Sequence, residues 1–292
     1  MRNLNTLINN LNLLLNTLDK KNGKGFIQSY LRMSHEEYKN FRALENAPFA
    51  TIMEAFYKMG INVDGLQDGI VDCQCVEDKI NNTIYVPKRY SHEARSKWIV
   101  TQNVLKEIKR NYGPHEYEQV LLYFQISPHY LDNYYSDKFI STELNSDLYK
   151  YIKKYLHGTS KDLYRLGANM YMHFKGTAFS KSFKGLSPKA TYAKFLEEVV
   201  NHIEISYQYS LAKLDNNSAI IHKRFRPETK DLLKREVYGA KEACEYCLGF
   251  ASSILHHSTG HLAYTEETQC LYDGADYCEY VVHFDKPNLL AC

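Results

Sequence analysis

Five residues in the last third of the chain, Cys244, Cys247, Glu267, Cys270 and Cys278, have the types and spacing of metal ligands. Thiolates are soft donors that suit zinc, and three of them with a carboxylate, or four alone, close a tetrahedral shell. Four protein ligands leave no position for water, so such a site is structural by its own chemistry. Cys244 and Cys247 stand three apart in a helical stretch and share a face. Glu267 ends one predicted strand, Cys270 begins a turn region, and Cys278 enters the partner strand. Two ligand sets compete: Cys244, Glu267, Cys270 and Cys278, or the four-cysteine set with Cys247 in place of Glu267. A third reading leaves the cysteines as buried free thiols behaving as small apolar residues.

The elements that must position these residues begin near residue 142. Asp147–Leu156, a segment opened by Ser160, and a segment running from Ser187-Pro188 to Asn201 carry helical patterns. ISYQYSLAKL and AIIHKRF alternate around Asp215-Asn216-Asn217 and predict a hairpin. A long helix over about 232–257 follows, then a last hairpin, HLAYTEET and YCEYVVHF, turning through residues 273–276. The expected fold class is α+β: antiparallel hairpins packed on helices with a structural zinc site, over residues 142–292.

Residues 1–141 read as a helix-rich α+β region. Leu4, Leu7, Leu11, Leu14 and Leu18 recur at three and four, a seam that would either dock on the body or dimerise through residues 3–19. Helical patterns run over Ser34–Ala47, Ala50–Met59, a stretch from Ser91 past Trp98 to Tyr112, and Glu116–Phe124. GIVDCQCVEDKINNTIYVP alternates and predicts a small hairpin near 70–87. On that strand Cys73 and Cys75 would point to opposite faces and could not share a metal.

Composition sets the bounds. The chain has 292 residues, 44% hydrophobic and 24% charged, which suits a soluble protein of two modest domains. A formal charge of +2 gives no electrostatic case for nucleic acid or an anionic membrane. Four of the seven cysteines fall within residues 244–278, as an intracellular metal site requires and a secreted disulfide scaffold does not. Asn interrupts every apolar run of the N-terminus, unlike a signal peptide, and no stretch approaches the roughly 18 apolar residues of a membrane span. A cytoplasmic location is expected. The 25 tyrosines suit an amphipathic pocket or interface, or else reflect a biased genome.

Cys-x4-Gly at Cys244 and Gly249, Glu-x2-Cys at Glu267 and Cys270, and Cys-x7-Cys with an internal Gly at Cys270, Gly274 and Cys278 resemble the vinyl-four-reductase domain. That domain is the sensory module of bacterial activators responding to phenols and related aromatics. It also occurs in proteins linked to tetrapyrrole vinyl reduction, and its fold is similar to that of a eukaryotic vesicle-tethering subunit. The motif covers about residues 236–285. The resemblance implies zinc held by Cys244, Glu267, Cys270 and Cys278, with Cys247 a spectator. It also implies a hydrophobic ligand pocket between helix and sheet, a homodimer, and signalling or transcription regulation. Tyr207 and Tyr209, Phe250 and Tyr264 are the candidate pocket residues. Aromatics at alternating strand positions also serve as plain core. The C-terminal half has no tryptophan, a departure from the aromatic sensors, so phenol is not the expected ligand.

Three functions follow as expectations. The first is a sensor of a hydrophobic or aromatic small molecule, not an enzyme, acting through an output protein partner. No phosphate loop of the form G-x4-G-K-[ST] and no basic recognition helix is present in the sequence. The second is an enzyme or accessory protein of tetrapyrrole vinyl reduction. The third is a tethering-subunit-like adaptor that binds an acyl chain. His256, His257 and His261, near a helix C-terminus, are read as partners of its dipole rather than as ligands.

Overall fold

Leu11, Leu14, Leu15 and Leu18 lie on one side of the Leu4–Asn22 helix and are buried with Phe41, Phe56, Met59 and Val76. The N-terminal leucine seam is therefore occupied within its own part of the molecule, while Leu4 and Leu13 remain exposed. In the computed structural model, which describes residues 3–92, 94–131, 137–233 and 239–287, the chain divides into two compact units. One comprises Met1–Ser91 with Tyr112–Tyr135, and the other His92–Asn111 with Ser136–Cys292. The second unit thus takes in residues 92–111 and 136–141, which the sequence reading assigns to the N-terminal region.

The described residues of the first unit carry helices and no strand. The hairpin expected near 70–87 is instead the helix Cys73–Ile80. Asp72 caps it by accepting the Gln74 amide at 2.8 Å, and Cys73, Val76 and Ile80 pack on the core at helical spacing. Alternation over five residues competes with this pattern, and the cap with the three-and-four spacing wins. Cys73 and Cys75 still diverge, the second buried and the first half-exposed.

The second unit is the mixed α+β body. β1 (Ala94–Lys97) pairs antiparallel with β2 (Phe139–Ser141). A four-stranded antiparallel sheet follows from β3 (Tyr207–Leu214), β4 (Ser218–Phe225), β5 (Ala263–Gln269) and β6 (Cys278–Pro287), in the order β3-β4-β6-β5. The two predicted hairpins form and lie side by side through β4 and β6. The predicted helix over 232–257 is shorter at its start. Helix Glu242–Ile254 begins after Gly239, whose φ of +93° breaks any continuation; residues 234–238 lie outside the described residues. A π-helical turn, Leu196–Val200, interrupts the segment after Ser187-Pro188.

Alternation assigns the inner face of the sheet: Ala219, Ile221, Lys223 and Phe225 on β4, Ala263 and Thr265 on β5, and Cys278, Tyr280 and Val282 on β6 are all buried. Helix Glu242–Ile254 covers this face. Ser252 Oγ donates to the Ala263 carbonyl at 2.6 Å, and Thr265 Oγ1 donates to the Leu248 carbonyl at 3.1 Å. Its other side meets helix Ser160–Ala168 through two glycines. A Cβ on Gly249 would sit 1.9 Å from the Tyr164 carbonyl oxygen, and one on Gly167 would sit 2.1 Å from that of Tyr246. Among the described residues no helix is long and apolar enough to cross a membrane.

Candidate metal centre and cavity

Period-two geometry brings the four expected ligands together. Glu267 continues the inward series Ala263, Thr265 at the end of β5, and Cys278 opens β6 on the same face. The connection between them bends back through Gly274, at φ +95°, with the Asp273 and Ala275 amides both donating to the Cys270 carbonyl. Lys241, one residue before the covering helix, grips Asp273 at 2.6 Å and draws this loop toward Cys244. The ligand atoms of Cys244, Glu267, Cys270 and Cys278 all lie within 4.8 Å of one another.

The distances fit a zinc shell. Cys244 Sγ is 3.5 Å from Cys278 Sγ and 3.7 Å from Cys270 Sγ. Zn–S bonds of about 2.3 Å at tetrahedral angles set sulfurs about 3.8 Å apart, whereas a disulfide needs about 2.05 Å. Glu267 Oε1 is buried without a hydrogen-bond partner among the described residues. A buried carboxylate oxygen left that way is costly unless a cation takes it. The Leu271 amide points at Cys278 Sγ from 3.5 Å, as amides beside metal-bound thiolates do.

Electrostatics tell the same story. Burial, and next the Cys278 charge, push the Glu267 carboxyl up to about 7. The hydrogen bond from Cys244 brings Cys278 down to about 5, helped by Lys223, while its proton is held more tightly on Cys244. Four acidic groups in so small a space compete for protons, and a divalent cation is the counter-charge that lets all four ionise together. Cys244, Glu267, Cys270 and Cys278 would hold such an ion, which would supply cross-linking and no open coordination position.

Cys247 is not part of this cluster. It lines a cavity on the next arc of the same helix. The cavity measures about 60 Å³ and is bounded by Tyr149, Met170, Phe174, Val200, Tyr207, Tyr209, Lys223, Tyr246, Cys247 and Phe250, with Glu204, Thr142 and Ser146 among its polar members. Tyr149 stacks on Tyr246 at 4.8 Å, and Tyr246 lies nearly parallel to Phe250, their planes 8° apart. All three rings are among the cavity-lining residues. Tyr207 and Tyr209 face the cavity, as does Phe250. Tyr264 does not: its neighbours Ala263 and Thr265 point inward, so it lies on the outer face beside His283.

Lys223 is the member that sequence reasoning missed. Its side chain is 1% exposed, with Nζ 3.6 Å from Cys247 Sγ and 4.1 Å above the Tyr207 ring. Burial works against its charge, but Cys247 and the phenols of Tyr280, Tyr207 and Tyr209 more than offset that and hold its pKa well above the usual lysine value. The signal was available: Lys223 falls on the inward register of Ala219, Ile221 and Phe225. Tyr149 and Tyr246 had no such signal, because only the tertiary fold sets them against the sheet. The histidines near the helix end do not converge as ligands. His256 stacks on Tyr171 at 3.7 Å, and burial among Phe174, Phe179 and Phe183 pushes His257 down to about 4.

No protein-family model matches the chain, the vinyl-four-reductase domain included, and no curated protein matches it. Among solved structures, it is similar to the Fe(II) unliganded H-NOX protein from K. algicida, at 12% identity and a TM-score of 0.47. A single-residue mutant of that protein gives 13% and 0.47, each covering 66% of this chain and 98% of the other. The phenol-responsive sensory domain of the transcription activator PoxR, with phenol, gives 16% identity and a TM-score of 0.34, over 49% of this chain and 74% of that one. Likeness at this level leaves the functional reading to the site itself.

Proposed function

We propose that the second unit is a small-molecule sensor: it takes a compact, largely apolar ring compound into the cavity, and a structural zinc on Cys244, Glu267, Cys270 and Cys278 keeps the cavity's covering helix in place. The carrying observation is the cavity itself, walled by stacked aromatic rings and built on the same helix that supplies Cys244. Its size sets the ligand class. At 10–15 Å³ per water centre, it has room for about five waters, the space of one ring with a short substituent. A tetrapyrrole or a long acyl chain needs several times that, which disfavours the vinyl-reduction and adaptor readings. In this reading the protein acts in the cytoplasm as a homodimer and passes the signal to a partner protein.

Native mass spectrometry of the full chain tests the proposal. One zinc per chain, together with a retained or added ring compound displaced by an excess of a second one, is the expected result. A chain that binds no zinc from a zinc-buffered solution, or no member of a panel of single-ring compounds, would overturn it.

A further inference from the structure

Lys223 is an ammonium group sealed into an aromatic cavity with too few partners. Of its three N–H donors, one points at the Cys247 sulfur, a weak acceptor, and its charge covers the Tyr207 ring. Among the described residues it forms no ion pair with a carboxylate. Glu204, the one carboxylate among the cavity-lining residues, is held elsewhere, accepting the Ser206 amide at 3.1 Å and the Thr142 hydroxyl at 3.0 Å. Burial also raises the pKa of Glu204, which reduces its weight as a counter-charge.

The remaining polar groups of the cavity are largely engaged with one another. Tyr207 and Tyr272 share a hydroxyl contact at 3.2 Å, Ser146 donates to the Thr142 carbonyl, and Asn145 bonds Ser96 and Thr101. A buried ammonium whose one hydrogen-bond partner is a weak acceptor leaves N–H donors unmet, which is unfavourable, and an acceptor on a ligand would complete them.

We infer that the cavity's ligand is an organic anion, a single ring bearing one carboxylate, with the carboxylate on Lys223 Nζ and the ring packed among Tyr149, Tyr246 and Phe250. The inference rests on the cavity-binding reading above and adds the charge and orientation of the ligand. A carboxylate supplies the acceptor that the ammonium lacks, and the aromatic lining takes a planar ring in offset or edge-on contact. A cation of the same size would meet Lys223 head on.

Isothermal titration of the zinc-loaded full chain with benzoate, benzyl alcohol and benzylammonium separates the possibilities. Benzoate should bind about 10- to 100-fold tighter than benzyl alcohol, the worth of one hydrogen bond to a charged group, and benzylammonium should not bind. Lys223→Met should abolish the preference for benzoate over benzyl alcohol. Benzyl alcohol binding as well as benzoate would overturn the charge assignment and leave the cavity reading standing. If none of the three binds, both fall together. Should the variant fail to fold, the ranking of the three probes on the native chain decides alone.

Discussion

Gly249 and Gly167 let two helix backbones of the second unit meet with no room for a side chain at either position. A Cβ added at Gly249 would lie 1.9 Å from the Tyr164 carbonyl oxygen, 2.8 Å from its carbon and 2.9 Å from the Ala168 nitrogen. All three are backbone atoms of a packed helix, so no side chain can swing aside. Ordinary contact begins at 3.4 Å, and the helices would have to part by about 1.5 Å. A gap of even 0.5–1 Å forfeits a quarter to a half of each contact across it. Overpacking of this kind costs about 1–3 kcal/mol, and the lost contacts add to it; higher helix propensity returns about 1 kcal/mol. The net for Gly249→Ala is a loss of about 3 kcal/mol, or a melting temperature lower by about 6–12 °C for a unit of this size.

Trp98, the only tryptophan, is fully buried in the second unit, and its fluorescence reports that unit's unfolding. Gly249→Ala and Gly167→Ala should each lower the Trp98 transition. The double variant should lose less than the sum, because the first substitution already parts the helices. A transition at or above the wild-type temperature, the result that propensity alone predicts, would refute this account of the crossing.

Cys270→Ser or Cys278→Ser should release zinc and lower the Trp98 transition, since structural zinc binding is folding energy; full zinc content with native melting would remove that residue from the ligand set. Cys247→Ser should keep its zinc, and metal loss in this variant would restore the four-cysteine set. At the β3–β4 turn, Asp215 accepts the Asn217 and Ser218 amides at 2.9 and 2.8 Å, which lower its pKa from 3.8 to about 2. A depressed folded-state pKa gives stability that is complete above 3.8 and lost as pH falls through 2. The stability gap between wild type and Asp215→Ala should therefore be constant above pH 4 and close toward pH 2; a gap independent of pH would sink the assignment.

How much of this was legible in the sequence depends on how local each determinant is. Glu267, Cys270 and Cys278 belong to one hairpin, and period-two alternation from Ala263 already turns Glu267 inward. The hairpin at 207–225 was legible for the same reason, with Asp215 at its turn. The stretch 70–87 was not, because five alternating residues can equally follow Asp72 as a capped helix. Nor could a stripe of leucines reveal what covers it, since docking and dimerisation ask for the same spacing. The domain edge moved because β1 reaches across the chain to β2, pairing Ala94 with Ser141. Lys223 could be placed on the inner face, but its isolation depends on what Tyr149, Tyr207 and Tyr246 leave open around it.

Helix Glu242–Ile254 explains why the staple and the cavity share a fate. At 100° per residue, taking Cys244 as zero, Gly249 falls at about 140° and Tyr246, Phe250, Ala243 and Cys247 fall between about 200° and 300°. One arc faces the metal cluster and sheet, one the neighbouring helix, one the cavity. No arc is left for adjustment. A turn of the helix large enough to relieve any one contact would carry Cys244 away from Cys270 and Cys278, or tilt the Tyr246–Phe250 wall. With a metal ion on the first arc, as proposed, and the glycine crossing on the second, the third would be fixed, and metal removal should weaken ring binding even though Cys244, Cys270 and Cys278 are not among the cavity-lining residues. A zinc-free chain that kept its affinity for the ring compound would show that the crossing alone holds the helix.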